Sequence, residues 1–191
     1  LLLVSAMLMM SGCASLVGSL TQGFAEDLSA AILNSDDPAM VRDGAPAYLI
    51  LIDSLLSGSP ENVALLSQSA ELHSAYAGAF VDDEERAARL HDKARRQIFT
   101  ATCLSLKDAC DLDARPFAKF LAWTNSRTVK DVPALYNLAS IWAGWIQGNS
   151  GDFSAIAELA RVKALMQRVV ELDETYSSGS AYLYLGVFET L

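Results

Sequence analysis

Cysteines, histidines and a short acidic run are the residues of this 191-residue sequence through which chemistry could be done. Cys13 has the strongest context. Residues Leu1 to Gly12 are uncharged and mostly apolar, and they end in the small residues Ser11 and Gly12. That is the layout of a signal-peptide core and its cleavage zone. Met10-Ser11-Gly12-Cys13 resembles a bacterial lipobox, in which the cysteine thiol receives a diacylglyceryl group through a thioether. The expectation is cleavage after Gly12, which gives a partial signal peptide over 1–12, a lipidated Cys13 and a tether over 13–23. The apolar run is too short for a membrane span, which needs about 20 apolar residues. Stable anchoring takes two or more acyl chains. Ala14, where an Asp would signal retention, fits transit to the outer membrane. The missing basic segment and initiator Met read as a clipped start.

Cys103 and Cys110 are the other two thiols. In one unbroken helix seven residues would hold their Cα atoms ~10 Å apart, beyond disulfide reach. Lys107 and Asp108 between them suggest that the helix has ended, and an envelope compartment is oxidising. A disulfide and two free thiols both stand as readings. Neither His73 nor His91 has metal-ligand spacing to a cysteine, so no metal or cofactor is expected. His73 lies among apolar residues and reads as a satisfied core histidine rather than a base. The acidic run Asp82-Asp83-Glu84-Glu85 suits a helix N-terminus, where carboxylates meet the positive end of the dipole. Arg86, Arg89, Lys93 and Arg96 make one basic stripe on the helix that follows. Pairing of Glu85 with Arg89 and of Asp92 with Arg96 is expected to blunt it. Sequence signatures of hydrolases, zinc proteases and nucleotide-binding loops are absent from these 191 residues, so no catalytic residue is assigned. The formal charge of −9 argues against nucleic acid, whose phosphates demand basic surfaces.

Helices must position these groups, since apolar periodicity is helical from residue 16 onward. A first stripe comprises Phe24, Leu28, Ala31 and Ile32. Asp37-Pro38 predicts a short capped turn, and Asp43-Gly44-Ala45-Pro46 a new helix ending at Gly58. Ser59-Pro60-Glu61 predicts the cap of a long helix to about Val81, apolar on two sides and therefore sandwiched between neighbours. Further helices are predicted from Asp83 to about Leu104, from Pro116 through Trp123, from Asp131 to Gly148, from Asp152 to about Asp173, and after Ser180. The sequence stops inside an apolar helix, which reads as a clipped C-terminus. Within the helix over 132–147, Trp142 and Trp145 stand beside Ala139, Ala143 and Gly144. Small residues let another helix approach closely, and indoles supply apolar area with one donor each. With Tyr76, Phe80 and Tyr136 they are candidates for an interface or a lined cavity, ordinary core packing being the competing account.

The fold expected is all-α, with antiparallel helix pairs in a degenerate tetratricopeptide-like solenoid or bundle over residues 24–191. Leu165 to Asp173 resembles the second helix of one such repeat, and Tyr182-x-x-Leu185-Gly186 the start of the next. Over about residues 26–191 the chain resembles the T-component family of TRAP-type transporters. Val41 to Tyr48, Ser74 to Val81, Val132 to Tyr136, Trp142 to Ile146 and Ala164 to Tyr176 carry the likeness. The resemblance implies a non-enzymatic periplasmic lipoprotein that assembles as a homotrimer with an apolar central pore; residence at the outer membrane is the expectation from Ala14. Its implied partner is a periplasmic solute-binding protein that passes ligand to a permease. An envelope scaffold using a repeat surface for protein contacts is the alternative.

Overall fold

The computed structural model describes Asp27, residues 30–32 and residues 34–190. The signal peptide, Cys13, the tether, and Phe24 and Leu28 of the first stripe lie outside those residues. Every regular element among the described residues is helical.

Helix α1 (Pro38–Gly58) starts as its sequence demands, with Asp37 accepting from the Met40 N–H at 3.0 Å and proline in the first turn. The break expected at Asp43–Pro46 is not there, and the helix runs straight through Pro46. Proline lacks the N–H that would satisfy the carbonyl four residues back. Here that carbonyl belongs to Arg42, and the Tyr76 hydroxyl donates to it at 3.4 Å. Burial of Tyr48, Leu49, Ile52 and Leu56 along one stripe holds the helix across the gap.

Helix α2 (Val63–Phe80) begins three residues later than Ser59-Pro60-Glu61 predicts. Ser59 instead closes α1, its N–H donating to Leu55 and Leu56 carbonyls, and Asn62 caps α2 by accepting from the Leu65 N–H at 3.1 Å. Two-sided burial is as expected: Leu65, Leu72 and Tyr76 are buried, and so are Leu66, Ala70 and Ala77. Helix α3 (Glu84–Ser105) is capped by Asp83, which accepts from the Arg86 N–H at 2.8 Å. Helices α4 (Phe117–Asn125) and α5 (Val132–Gly148) follow, the second preceded by a capping box between Thr128 and Asp131. The single helix predicted over 152–173 is two, α6 (Phe153–Ala157) and α7 (Leu159–Leu172). The break falls at Glu158, whose carboxylate is held by the Trp142 indole and the Arg95 guanidinium. Ser177, Ser178 and Gly179, all at positive φ, turn the chain into α8 (Ser180–Phe188).

Packing follows chain order. Helix α2 lies on α1 and α3, α3 on α5, α5 on α7, and α7 on α4 and α8, while α5 also reaches back to α2. Turns of three or four residues between long, packed helices make α1, α2 and α3 antiparallel neighbours. Ile98, Phe120, Leu138, Trp142, Leu165 and Met166, all essentially without exposure, form the centre.

The contact of α5 with α2 and α3 depends on two glycines. A Cβ on Gly148 would lie 2.4 Å from His91 Cδ2, and one on Gly144 would lie 2.6 Å from Ser74 Oγ. The hydroxyl can rotate away, but the buried imidazole cannot. Gly148→Ala is therefore expected to lower stability by about 1–2 kcal/mol, overpacking outweighing the small propensity gain of a last helical residue. Gly78→Ala, within α2 and with open space around it, is expected to raise stability by about 0.5–1 kcal/mol. Urea unfolding of both variants checks the contrast, and equal signs would refute this account of the α3–α5 contact.

Candidate functional site

Positions 71, 74, 75 and 78 of α2 share one helix face by their three- and four-residue spacing. They present Glu71, Ser74, Ala75 and Gly78 to a concave groove of about 930 Å³. The facing wall is a stripe of α5 that includes Tyr136, Ser140 and Gly144, and α8 closes one side with Leu183, Tyr184 and Val187. Small residues on α2 and α5 make the hollow, since a larger side chain at Ala75, Gly78 or Ala143 would occupy it. The lining is mainly apolar, with hydroxyls and amides set into it. Its volume is at the upper end of the range for small-molecule sites.

The electrostatics of the groove are simple. Glu71 and His91 are the lining residues that could carry a full charge near neutral pH. Burial pushes the His91 imidazole below its ordinary range, against the opposing pull of Asp92, and so keeps it neutral. Burial also pushes the Glu71 carboxyl up, although the side chain is open to the groove. Tyr136 stands edge-on to Tyr176 and Tyr184, with ring centroids 5.3 and 6.3 Å apart. Burial, then Tyr136 and then Glu71 raise the phenols of Tyr176 and Tyr184, so the carboxylate and this aromatic trio are neighbours.

Ser74 and His91 meet in the groove floor with Oγ and Nδ1 3.5 Å apart. That is long for nucleophile and base, and no third group orients the ring among the described residues. The adjacent carboxylate, Asp92, accepts from the Trp145 indole at 2.7 Å instead. The pairing of Asp92 with Arg96 expected from their spacing is thereby replaced, whereas Glu85 and Arg89 do approach to 3.7 Å. Lys93 leaves the basic stripe to pair with Asp53 of α1. His73 is satisfied within the core, its Nδ1 donating to the Ser69 carbonyl at 2.7 Å.

The five aromatic candidates are not gathered in one place. Tyr76 and Phe80, 5.8 Å apart, border a separate apolar cavity of about 230 Å³ between α1 and α2. Tyr136 lines the large groove. Trp142 is fully buried on the far side of α5, against Phe99 and Phe120. Trp145 is half-buried beside it, under the Arg95 guanidinium at 4.5 Å. Cys103 and Cys110 sit where α3 gives way to the next turn, Cα atoms 4.4 Å apart and sulfurs bonded. Sequence reasoning missed Glu71 and Glu158. The available signal for Glu71 was a carboxylate set between Ala70 and Leu72 on a helix apolar on two sides.

No described helix is long and apolar enough to cross a membrane, and no three metal-ligating side chains converge among the described residues. The profile of a family described as TRAP transporter T-component matches residues 34–191. No curated protein matches the sequence significantly.

Proposed function

The chain belongs to the TRAP transporter T-component family, and from that premise we propose that it is a lipid-anchored periplasmic subunit that receives an apolar solute and hands it between proteins. Transport rather than turnover fits both the family and the floor of the groove, where no base is poised against a nucleophile. The observation that carries the reading is the wide, largely apolar groove between α2, α5 and α8. In this proposal the helices stack as degenerate tetratricopeptide-like pairs, and three copies assemble around a pore. The partner is a periplasmic solute-binding protein. Lipidation of Cys13 holds the assembly at the outer membrane, and a Cys103–Cys110 disulfide suits that oxidising compartment.

An affinity pull-down of the mature protein from detergent-treated envelopes is the direct test. Mass spectrometry is expected to find a periplasmic solute-binding protein in the eluate. Recovery of cell-wall or assembly proteins alone would sink the proposal and favour an envelope scaffold. Cys13→Ser is expected to move the protein from the membrane fraction to the soluble one. Its retention in the membrane fraction would refute the anchor.

A further inference from the structure

The groove has a sign. Among the described lining residues Glu71 alone carries a full charge at neutral pH, because His91 is held neutral and none of them is a lysine or arginine. No hydrogen bond or ion pair within the described residues occupies the Glu71 carboxylate, although the protein contains arginines and lysines that pair with Asp53, Asp108, Glu158 and Glu171 elsewhere. An unpaired carboxylate that opens onto a concave, mostly apolar lining attracts a cation brought in with the ligand. The rings beside it act in the same sense. Tyr136 and Tyr184 line the groove, and Tyr176 packs on Tyr136. Aromatic faces attract ammonium groups and offer nothing to a carboxylate. Away from that end the lining runs on through Ile141, Leu183 and Val187, which suit a hydrocarbon body.

We propose that the groove binds an amphiphile with a cationic ammonium head, seated at Glu71 and the Tyr136–Tyr184 pair, and with an apolar tail along α5 and α8. This rests on the reading of the groove as the solute site. It assigns the charge of the solute, and it excludes fatty acids and other simple carboxylates as preferred ligands.

The test compares amphiphiles of one chain length below their micellar concentrations: dodecyltrimethylammonium, dodecanoate and an uncharged dodecyl maltoside. Each is titrated calorimetrically into the mature protein, into Glu71→Gln, and into Gly78→Trp, which fills the groove from a position with open space around it. The ammonium compound is expected to bind tightest and to weaken by about fivefold in Glu71→Gln, as one partly screened charge pair would give. Dodecanoate is expected to bind weakly and to gain affinity in the same variant. All binding is expected to fail in Gly78→Trp. Equal or tighter binding of dodecanoate, or an ammonium affinity unmoved by Glu71→Gln, would overturn the proposal while leaving the groove as an apolar site. No binding by any of the three, or binding that survives Gly78→Trp, would overturn the groove reading itself.

Discussion

Trp142→Ala is expected to destabilise the protein by about 3–5 kcal/mol, the range for removing a large aromatic side chain from a packed core. The ring has no solvent exposure. It meets Phe99 edge-on at 4.8 Å and Phe120 at 6.1 Å, so its removal opens a cavity bounded by rings that cannot collapse into it. A second loss is electrostatic. The indole Nε1–H donates to Glu158 at 2.5 Å, and Arg95 reaches the same carboxylate at 3.1 Å. Alanine leaves Glu158 with one partner at the point where the chain breaks between α6 and α7. Trp142→Phe separates the two effects: it keeps most of the packing, removes the donor, and is expected to cost about 1–2 kcal/mol. Trp145→Ala, half-buried, is expected to fall in that lower range. Urea midpoints with unchanged slopes measure all three. A Trp142→Ala loss below ~1 kcal/mol would mean that the ring is not part of the core.

That network also marks where sequence reasoning succeeds and stops. All-helical structure was legible because stripes and caps are local: Asp83 caps the helix that its position predicts, and Asp37 and Asp152 do act as caps, although the helix after Asp37 is longer and the one after Asp152 shorter than the local pattern gives. The misplaced boundaries share a different origin. Pro46 reads as a helix start unless Tyr76, thirty residues on, is known to satisfy the Arg42 carbonyl. Residues 152–173 read as one helix unless Trp142 and Arg95 are known to hold Glu158. In each case a side chain distant in sequence supplies a partner that local rules cannot foresee. The groove was illegible for a related reason. Its wall residues come from α2, α5 and α8, and the property that matters, one carboxylate facing apolar surface and tyrosines, exists only once those helices are brought together. Small residues at Ala143 and Gly144 were visible as sites of close approach, but what approaches Gly148 is a histidine of α3.

Acidification should expose the histidines as the weak point of this packing. His73 and His91 are 2% and 4% exposed, and both sit below the ordinary value of 6.5. For His73 burial is the main cause and Lys93 adds to it, while the Ser69 carbonyl and Asp53 act in opposition. For His91 burial again dominates, against Asp92. A depressed folded value means that the unfolded chain takes up protons first. Stability is therefore full above about pH 6.5 and falls as the pH drops from there through the folded values. Both rings contribute to the fall in the same sense. Glu71 works the other way: burial raises its carboxyl, so its protonation as the pH falls favours the folded chain. The lowered carboxylates Asp43, Asp111 and Asp152 titrate below 3.8 and leave the range untouched. Urea unfolding between pH 7.5 and 5.5 is the measurement, read as a slope so that the lower baseline of a variant does not matter. His73→Gln and His91→Gln are each expected to remove roughly half of the acid loss. An unchanged slope in both would mean that these imidazoles bind protons equally well in the folded and unfolded chain, and that the close contacts of α5 with His91 and of Ser69 with His73 do not hold them neutral.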